Sequence, residues 1–330
     1  MLFRPALLPP TDAITLYRSI MMALTCISIL AVDFHAFPRR FCKAEEGGIG
    51  LMDLGVSSFM FSSALVSRLA RSLPPSTPSP PTLHTSSFIK TVLPLYSLGL
   101  VRFATVSAAD YQAHVSEYGV HWNFFLTMAV VTTVMRLLPI RQHHALPVAV
   151  ALALLHQAAL LLGARDYILH APRTNGFFSA NREGIIGSLG YMSIYLSSVA
   201  IGARCFALQP PDKMRLLFGA AAGAAAAYVV CTRGLGMEVS RRLMNLPYML
   251  LSVAANCFGL ALCITCTYQQ QQQQQRSSSP SSRIHSTHAS SISQLISQHQ
   301  LLFFLLCNLA TGNSLALAYT QSNNTIVFRQ

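Results

Sequence analysis

In the stretch "ILAVDFHAFPRRFCKAEE" (29–46), an acid closes a long apolar run and a lysine follows ten residues later, with a proline between them. On an unbroken helix Asp33 and Lys43 would stand about 15 Å apart along the axis. Pro38 breaks the helix, so the two side chains can converge. A carboxylate at an apolar edge tends to hold its proton more tightly, which suits a general base near neutral pH. A nearby ammonium can stabilise a developing oxyanion. Together they suit acyl transfer onto a hydroxyl. The same pair also reads as a charged anchor at a membrane boundary, and spacing alone does not separate the two.

Three further strings hold residue types that do chemistry. "EYGVHWNFF" (117–125) brings together His121, the only tryptophan Trp122, and Asn123. His121 could serve as a base and Asn123 as an oxyanion donor, or all three could form an interfacial aromatic belt with polar tips. "NREGI" (181–185) opens an apolar run with Asn181, Arg182 and Glu183. Asn181 is placed to cap a helix, and Arg182 at a helix start could reach a phosphate. "SRRLMNLPY" (240–248) supplies Arg241, Arg242 and Asn245, with the arginines either phosphate contacts or interface anchors. Inside the apolar runs, Arg102 and Asp53 are costly charges in hydrocarbon. They either carry function, or pair with one another or snorkel to the interface. No metal-ligand spacing, Walker loop, dinucleotide fingerprint or serine elbow is present. Cys263 and Cys266 have a Cys-x-x-Cys spacing but lie in an apolar run and read as ordinary helix residues.

These residues need a scaffold, and composition names its class. Of 330 residues, 52% are hydrophobic and 10% charged, against about 25% charged in soluble domains. Nine apolar runs stand out, at about 14–34, 49–70, 88–107, 120–140, 145–163, 184–206, 215–232, 245–268 and 299–320. Each is near the ~20 residues that cross ~30 Å of hydrocarbon as a helix. The expected fold is all-α, a polytopic transmembrane helix bundle of about nine spans forming one membrane domain over 1–330. A Pro/Ser-rich loop is expected at 74–86 and a disordered Gln/Ser-rich loop at 269–298. Small residues crowd the seventh run, which would allow close helix packing there. The net charge of +12 falls mostly between the runs, where it sets topology, and no nucleic-acid-binding module is present.

Nine spans leave eight connections. The odd-numbered ones hold seven of the eleven acids together with the motif strings, and the even-numbered ones hold Asp212 alone among acids. Lys and Arg number twelve on the even face with the N-terminus and ten on the odd face with the C-terminus, a vote for a cytosolic even face.

Taken in order, "ILAVDF-x-x-FPRRF-x-K-x-E", "GLMDLGVSSF", "YQ-x-H-x-x-EYGVHWNFF", "NREGI-x-x-x-x-GY-x-x-I" and "RR-x-x-NLPY" resemble the inositol acyltransferases of GPI-anchor biosynthesis, the PIG-W type. The resemblance implies a multi-pass endoplasmic reticulum membrane enzyme with luminal motif loops. It would move a fatty acyl chain, typically palmitoyl, from acyl-CoA to the inositol 2-hydroxyl of glucosaminyl-phosphatidylinositol. The partners so implied are acyl-CoA, that lipid and the membrane, with no nucleic acid, no metal and no cofactor beyond acyl-CoA as co-substrate. The family's catalytic Asp and Lys fall on Asp33 and Lys43. Arg39, Arg40, Arg102, His121, Trp122, Asn123, Asn181, Arg182, Glu183, Arg241, Arg242 and Asn245 are then the expected substrate-binding residues. Ala44, Ala113 and Leu251 depart from the family's usual Thr, Glu and Trp. The resemblance also implies further spans before residue 1 and after residue 330, so a chain shortened at both ends is expected. An inactive truncated form and a transporter or flippase, with Arg102 and Asp53 as a buried relay, are the rival readings.

Overall fold

The computed structural model describes residues 12–32, 34, 37–44, 47–71, 85–108, 115–174, 176–276 and 292–311. These are helical almost throughout and form an all-α polytopic bundle. Lipid cannot satisfy backbone N–H and C=O groups, so each apolar run closes its own hydrogen bonds as a helix.

The helices are α1 (Asp12–Ala31), α2 (Leu54–Leu65), α3 (Arg68–Arg71), α4 (Thr85–Ala108), α5 (Val115–Tyr118), α6 (Phe124–Leu137), α7 (Ala145–Ala159), α8 (Arg165–His170), α9 (Phe177–Ala180), α10 (Arg182–Ala207), α11 (Pro210–Val229), α12 (Leu246–Arg276) and α13 (Gln300–Thr311). A wide turn over Leu160–Ala164 joins α7 to α8, with Gly163 at φ 116°. Among the described residues, six segments are long and apolar enough to cross a membrane. The expected spans at 49–70 and 120–140 correspond to shorter apolar helices, Leu51–Leu65 and Phe124–Leu137; of the expected span at 299–320, Gln300–Thr311 is helical and 312–320 lie outside the described residues. The first of these stops at Val66 before α3 begins.

Helix α10 is the axis of the bundle. It is buried almost all round and packs against α2, α3, α6, α7 and α12. Ser193 on α10 donates to the Ala149 carbonyl of α7 at 2.8 Å, a polar tie of the kind that holds helices together where water is scarce. Helix α11 leans on α12 and exposes most of its surface. Gly219 and Gly223 in its small-residue run meet nothing within 4 Å, so that seam does not depend on those two glycines.

Towards the end of the bundle where α1 begins, Arg18 fastens α1 to the last described segment. It donates to Ser297 Oγ at 3.0 Å and Gln300 Oε1 at 2.7 Å. Tyr17 donates to Asn256 Oδ1 on α12 at 2.6 Å.

Residues 74–84 of the expected Pro/Ser-rich loop at 74–86 lie outside the described residues, and 85–86 begin α4. The glutamine run at 269–275, expected as part of a loop, continues α12 as helix. Glutamine has good intrinsic helix propensity and does not compete strongly for nearby backbone groups, so an existing helix extends through it. Of the rest of that expected loop, 277–291 lie outside the described residues and 292–298 are helical.

Candidate functional site

The four odd connections come together at one end of the bundle. Gly48 donates its amide to the Val239 carbonyl at 3.0 Å, linking the first to the seventh. Val120 donates to the Ala180 carbonyl at 2.9 Å, linking the third to the fifth. Lys43 pairs with Glu117, linking the first to the third. The motif strings far apart in the chain therefore share one surface.

At its centre is a chain of alternating charge. Asp53 is fully buried at the start of α2. Its Oδ2 accepts from the Gly50 amide at 2.7 Å and the Ala44 amide at 3.0 Å, and its Oδ1 accepts from Arg241 Nε at 2.8 Å. Arg241 Nη2 lies 3.5 Å from Glu117 Oε1, and Glu117 in turn accepts from Lys43 Nζ at 2.9 Å. Tyr248 donates its hydroxyl to the Asp53 carbonyl at 2.7 Å, and Tyr118 and Tyr191 lie near the same guanidinium. Burial by itself would pull the Arg241 pKa down. Tyr118, Glu117, Tyr191 and Tyr248 outweigh it and hold the pKa above the ordinary arginine value. The Lys43 end is partly open to solvent and the Asp53 end is sealed.

Arg241 is positioned by an irregular loop. Met244 sits in the left-handed region at φ 50°, a strained conformation for a side chain of this size. The loop is held from below by α7. His156 Nε2 is 2.9 Å from the Leu243 carbonyl, and Gln157 Oε1 accepts from the Leu246 amide at 3.0 Å. Asn245 braces it from within. Its Oδ1 accepts from the Ser240 amide at 3.1 Å and its Nδ2 donates to the Glu238 carbonyl at 2.6 Å.

A second cluster forms around Glu183, which is buried at the start of α10. Arg173 donates to both of its carboxylate oxygens, at 2.6 and 3.2 Å. Arg242 Nη2 reaches Glu183 Oε1 at 3.3 Å, and Arg182 Nε lies 3.9 Å from the same oxygen. Arg182 also donates to the Ile168 carbonyl at 3.2 Å and the Ala171 carbonyl at 2.7 Å, closing the end of α8.

Between these clusters, residues 118–123 dock on 177–184. Trp122 lies flat on α10 at Gly184, where a Cβ would meet the indole at 2.2 Å. Gly119 takes φ +121°, and a Cβ there would meet the Asn181 Cα at 2.5 Å. Asn181 Oδ1 accepts from the His121 amide at 2.8 Å. The His121 ring lies beside Phe103 and Phe177.

The expected site residues divide accordingly. Asp33 lies outside the described residues. Lys43 is in the shared surface. Arg182, Glu183, Arg241 and Arg242 are brought together there, a shared placement that spacing did not reveal. Asn123 has both ends engaged inside the fold, its Oδ1 accepting from the Leu126 amide and its Nδ2 donating to the Gly99 carbonyl at 2.8 Å. It caps α6, and one of its two Nδ2 N–H groups is taken by that carbonyl. Asn181 stands at the N-cap of α10, but its side chain does not accept from that helix; it holds His121 instead. Arg39 and Arg40 are exposed, Arg40 over the Phe41 ring. Arg102 is exposed on α4, while Asp53 pairs with Arg241, so the two do not form a buried relay. Asp53 at the start of its span neither snorkels nor pairs with Arg102; its buried charge is matched by Arg241. Glu117 and Arg173 were not singled out from sequence. Glu117 opens the string "EYGVHWNFF", and an acid next to an otherwise aromatic motif was the available signal.

The GWT1 family model matches residues 4–325. GPI-anchored wall transfer protein 1 of Emericella nidulans is 39% identical over 325 residues, covering 93% of this chain and 66% of that protein. The protein of the same name from Aspergillus fumigatus is 36% identical, with 93% and 66% covered. The phosphatidylinositol-glycan biosynthesis class W protein of Dictyostelium discoideum is 34% identical, with 90% and 65% covered. The chain thus spans just under two thirds of the length of these relatives. With its matched residues running almost end to end, the chain belongs to the GWT1 family.

Proposed function

We propose that this chain carries the catalytic part of a membrane O-acyltransferase of GPI-anchor biosynthesis. It moves a fatty acyl group, palmitoyl as the first expectation, from acyl-CoA to the inositol 2-hydroxyl of glucosaminyl-phosphatidylinositol. The observation that carries the reading is the family match, extending over all five motif strings, together with the convergence of four of their connections at one end of the bundle.

In this reading Asp33 takes the proton of the inositol hydroxyl as its oxygen attacks the thioester carbonyl. The C–O bond forms, the C–S bond breaks, and coenzyme A leaves as the thiol once its sulfur is protonated. Lys43 steadies the negative charge on the thioester oxygen, and Glu117 orients Lys43. A thioester needs no further activation, so positioning and charge stabilisation are sufficient and no additional cofactor is invoked. The convergent surface faces the lumen of the endoplasmic reticulum.

The test is an inositol-acylation assay in membranes from cells lacking their own activity. Asp33→Asn and Lys43→Ala, in a version carrying the segments the relatives have beyond this chain, are expected to abolish product while expression is retained. Normal acylation by well-expressed Asp33→Asn protein would remove Asp33 from the mechanism. Rescue by the 330-residue chain itself would establish that it holds the whole activity.

A further inference from the structure

The Glu183 cluster is unbalanced. Three guanidiniums, from Arg173, Arg182 and Arg242, converge on one carboxylate, leaving two positive charges in excess. Arg182 is 3% exposed, and its Nη1 is buried without a hydrogen-bond partner among the described residues. Arg242 Nε is buried without a partner in the same way. Buried donors are normally satisfied, and excess buried charge is normally compensated. Here both departures fall in one place.

They also fall where a helix begins. α10 runs for 26 residues from Arg182, and the Asn181 side chain does not cap it because it is turned to His121. The positive end of the helix dipole therefore adds to the same excess. Arg173 and Arg242 retain some side-chain exposure, 27% and 15%, so they form the rim and Arg182 the floor.

We infer that the start of α10, with Arg182, Arg242 and Arg173, binds a phosphate group of a substrate. A dianionic phosphate matches the two excess charges and a diester monoanion offsets one of them, and guanidinium forks present paired N–H donors in the geometry that phosphate oxygens accept. Glu183 holds the guanidiniums in place and does not touch the ligand. The source of the phosphate rests on the acyltransferase reading, since both of its substrates carry one: the phosphodiester of the lipid acceptor and the phosphates of acyl-CoA. The site itself does not require turnover.

The test is thermal unfolding of the full 330-residue chain in detergent, titrated separately with inorganic phosphate, coenzyme A and dioctanoyl phosphatidylinositol. Saturable stabilisation by at least one of the three is expected. Arg242→Gln is expected to raise the half-maximal concentration roughly tenfold, as loss of one charge-assisted bond would, while Arg242→Lys retains part of the response. Stabilisation by coenzyme A but not by the lipid assigns the site to the acyl donor; the reverse assigns it to the acceptor. No saturable stabilisation by any of the three, or equal responses in wild type and Arg242→Gln, overturns the site. Arg182→Lys is a second variant that keeps the charge and removes the fork. Binding is read without chemistry, so failure of this site and failure of the acyltransferase reading, which is judged by Asp33→Asn, are separate results.

Discussion

Arg241 and Arg242 are neighbours in sequence and belong to opposite kinds of site. Arg241 enters a chain of two cations and two anions, Lys43, Glu117, Arg241 and Asp53, whose charges cancel. The carboxylate oxygens of Asp53 both have donors, and its backbone carbonyl is taken by Tyr248. Arg242 enters a cluster of three cations and one anion with two donor nitrogens unmatched. A balanced buried network can be explained by folding alone, because each charge has its partner. An unbalanced one pays in desolvation without full return, and that is the mark of a place where something else completes it.

The difference can be broken or sharpened by mutation. The largest expected effect is in the balanced chain. Arg241→Leu leaves Asp53 buried and unpaired and is expected to destabilise by about 3–5 kcal/mol, measured as loss of thermal stability in detergent. Adding Asp53→Asn to Arg241→Leu should recover part of that loss, since the stranded charge is then gone. A double variant no better than the single would mean that Asp53 is not held by Arg241 in the way its 2.8 Å contact indicates.

The next effect concerns the wall beside the unbalanced cluster. Gly184→Ala places a methyl group into the Trp122 indole, and overpacking of this kind costs about 1–3 kcal/mol. Wild-type stability in that variant would show that Trp122 does not seat the start of α10. Asn123→Ala removes a cap from α6 and is expected to cost about 0.5–2 kcal/mol by the same measurement.

The smallest stability effect is expected at Arg242. Arg242→Gln removes one of three cations from an overloaded carboxylate and relieves repulsion as it does so, so it should change stability by less than about 1 kcal/mol. A loss as large as that of Arg241→Leu would make the two clusters alike and remove the distinction between them.

Much of the bundle was legible in the sequence because hydrophobic runs and charge placement are local signals. The six long apolar segments lie within about seven residues of where hydropathy set them. The shorter apolar helices α2 and α6 were legible as elements but not in length, because helix ends at Val66 and Leu138 depend on where loops must turn. The glutamine run was misread as loop because low complexity does not reveal whether an adjoining helix will extend through it. At the surface shared by the odd connections, the strings were visible and most named residues lie in it. Their roles were not. Asn123 and Asn245 were attractive as substrate contacts by type, yet their hydrogen-bonding groups are occupied by backbone far away in sequence or just beside them.

By itself, the sequence determined the class of protein, an all-α polytopic bundle, and the family, because apolar runs of spanning length and five motif strings in sequence are properties of the chain alone. The tertiary structure decided which charges meet. Asp53 and Arg241 are 188 residues apart and become one buried pair, while Arg242, one peptide bond further on, is turned to Glu183. Spacing along a chain says nothing about such partners, because coupling over that distance is set by how α2, α10 and the loop before α12 pack. The balance of charge within each cluster, and so the difference between a closed brace and a site with donors to offer, exists only after that packing is made.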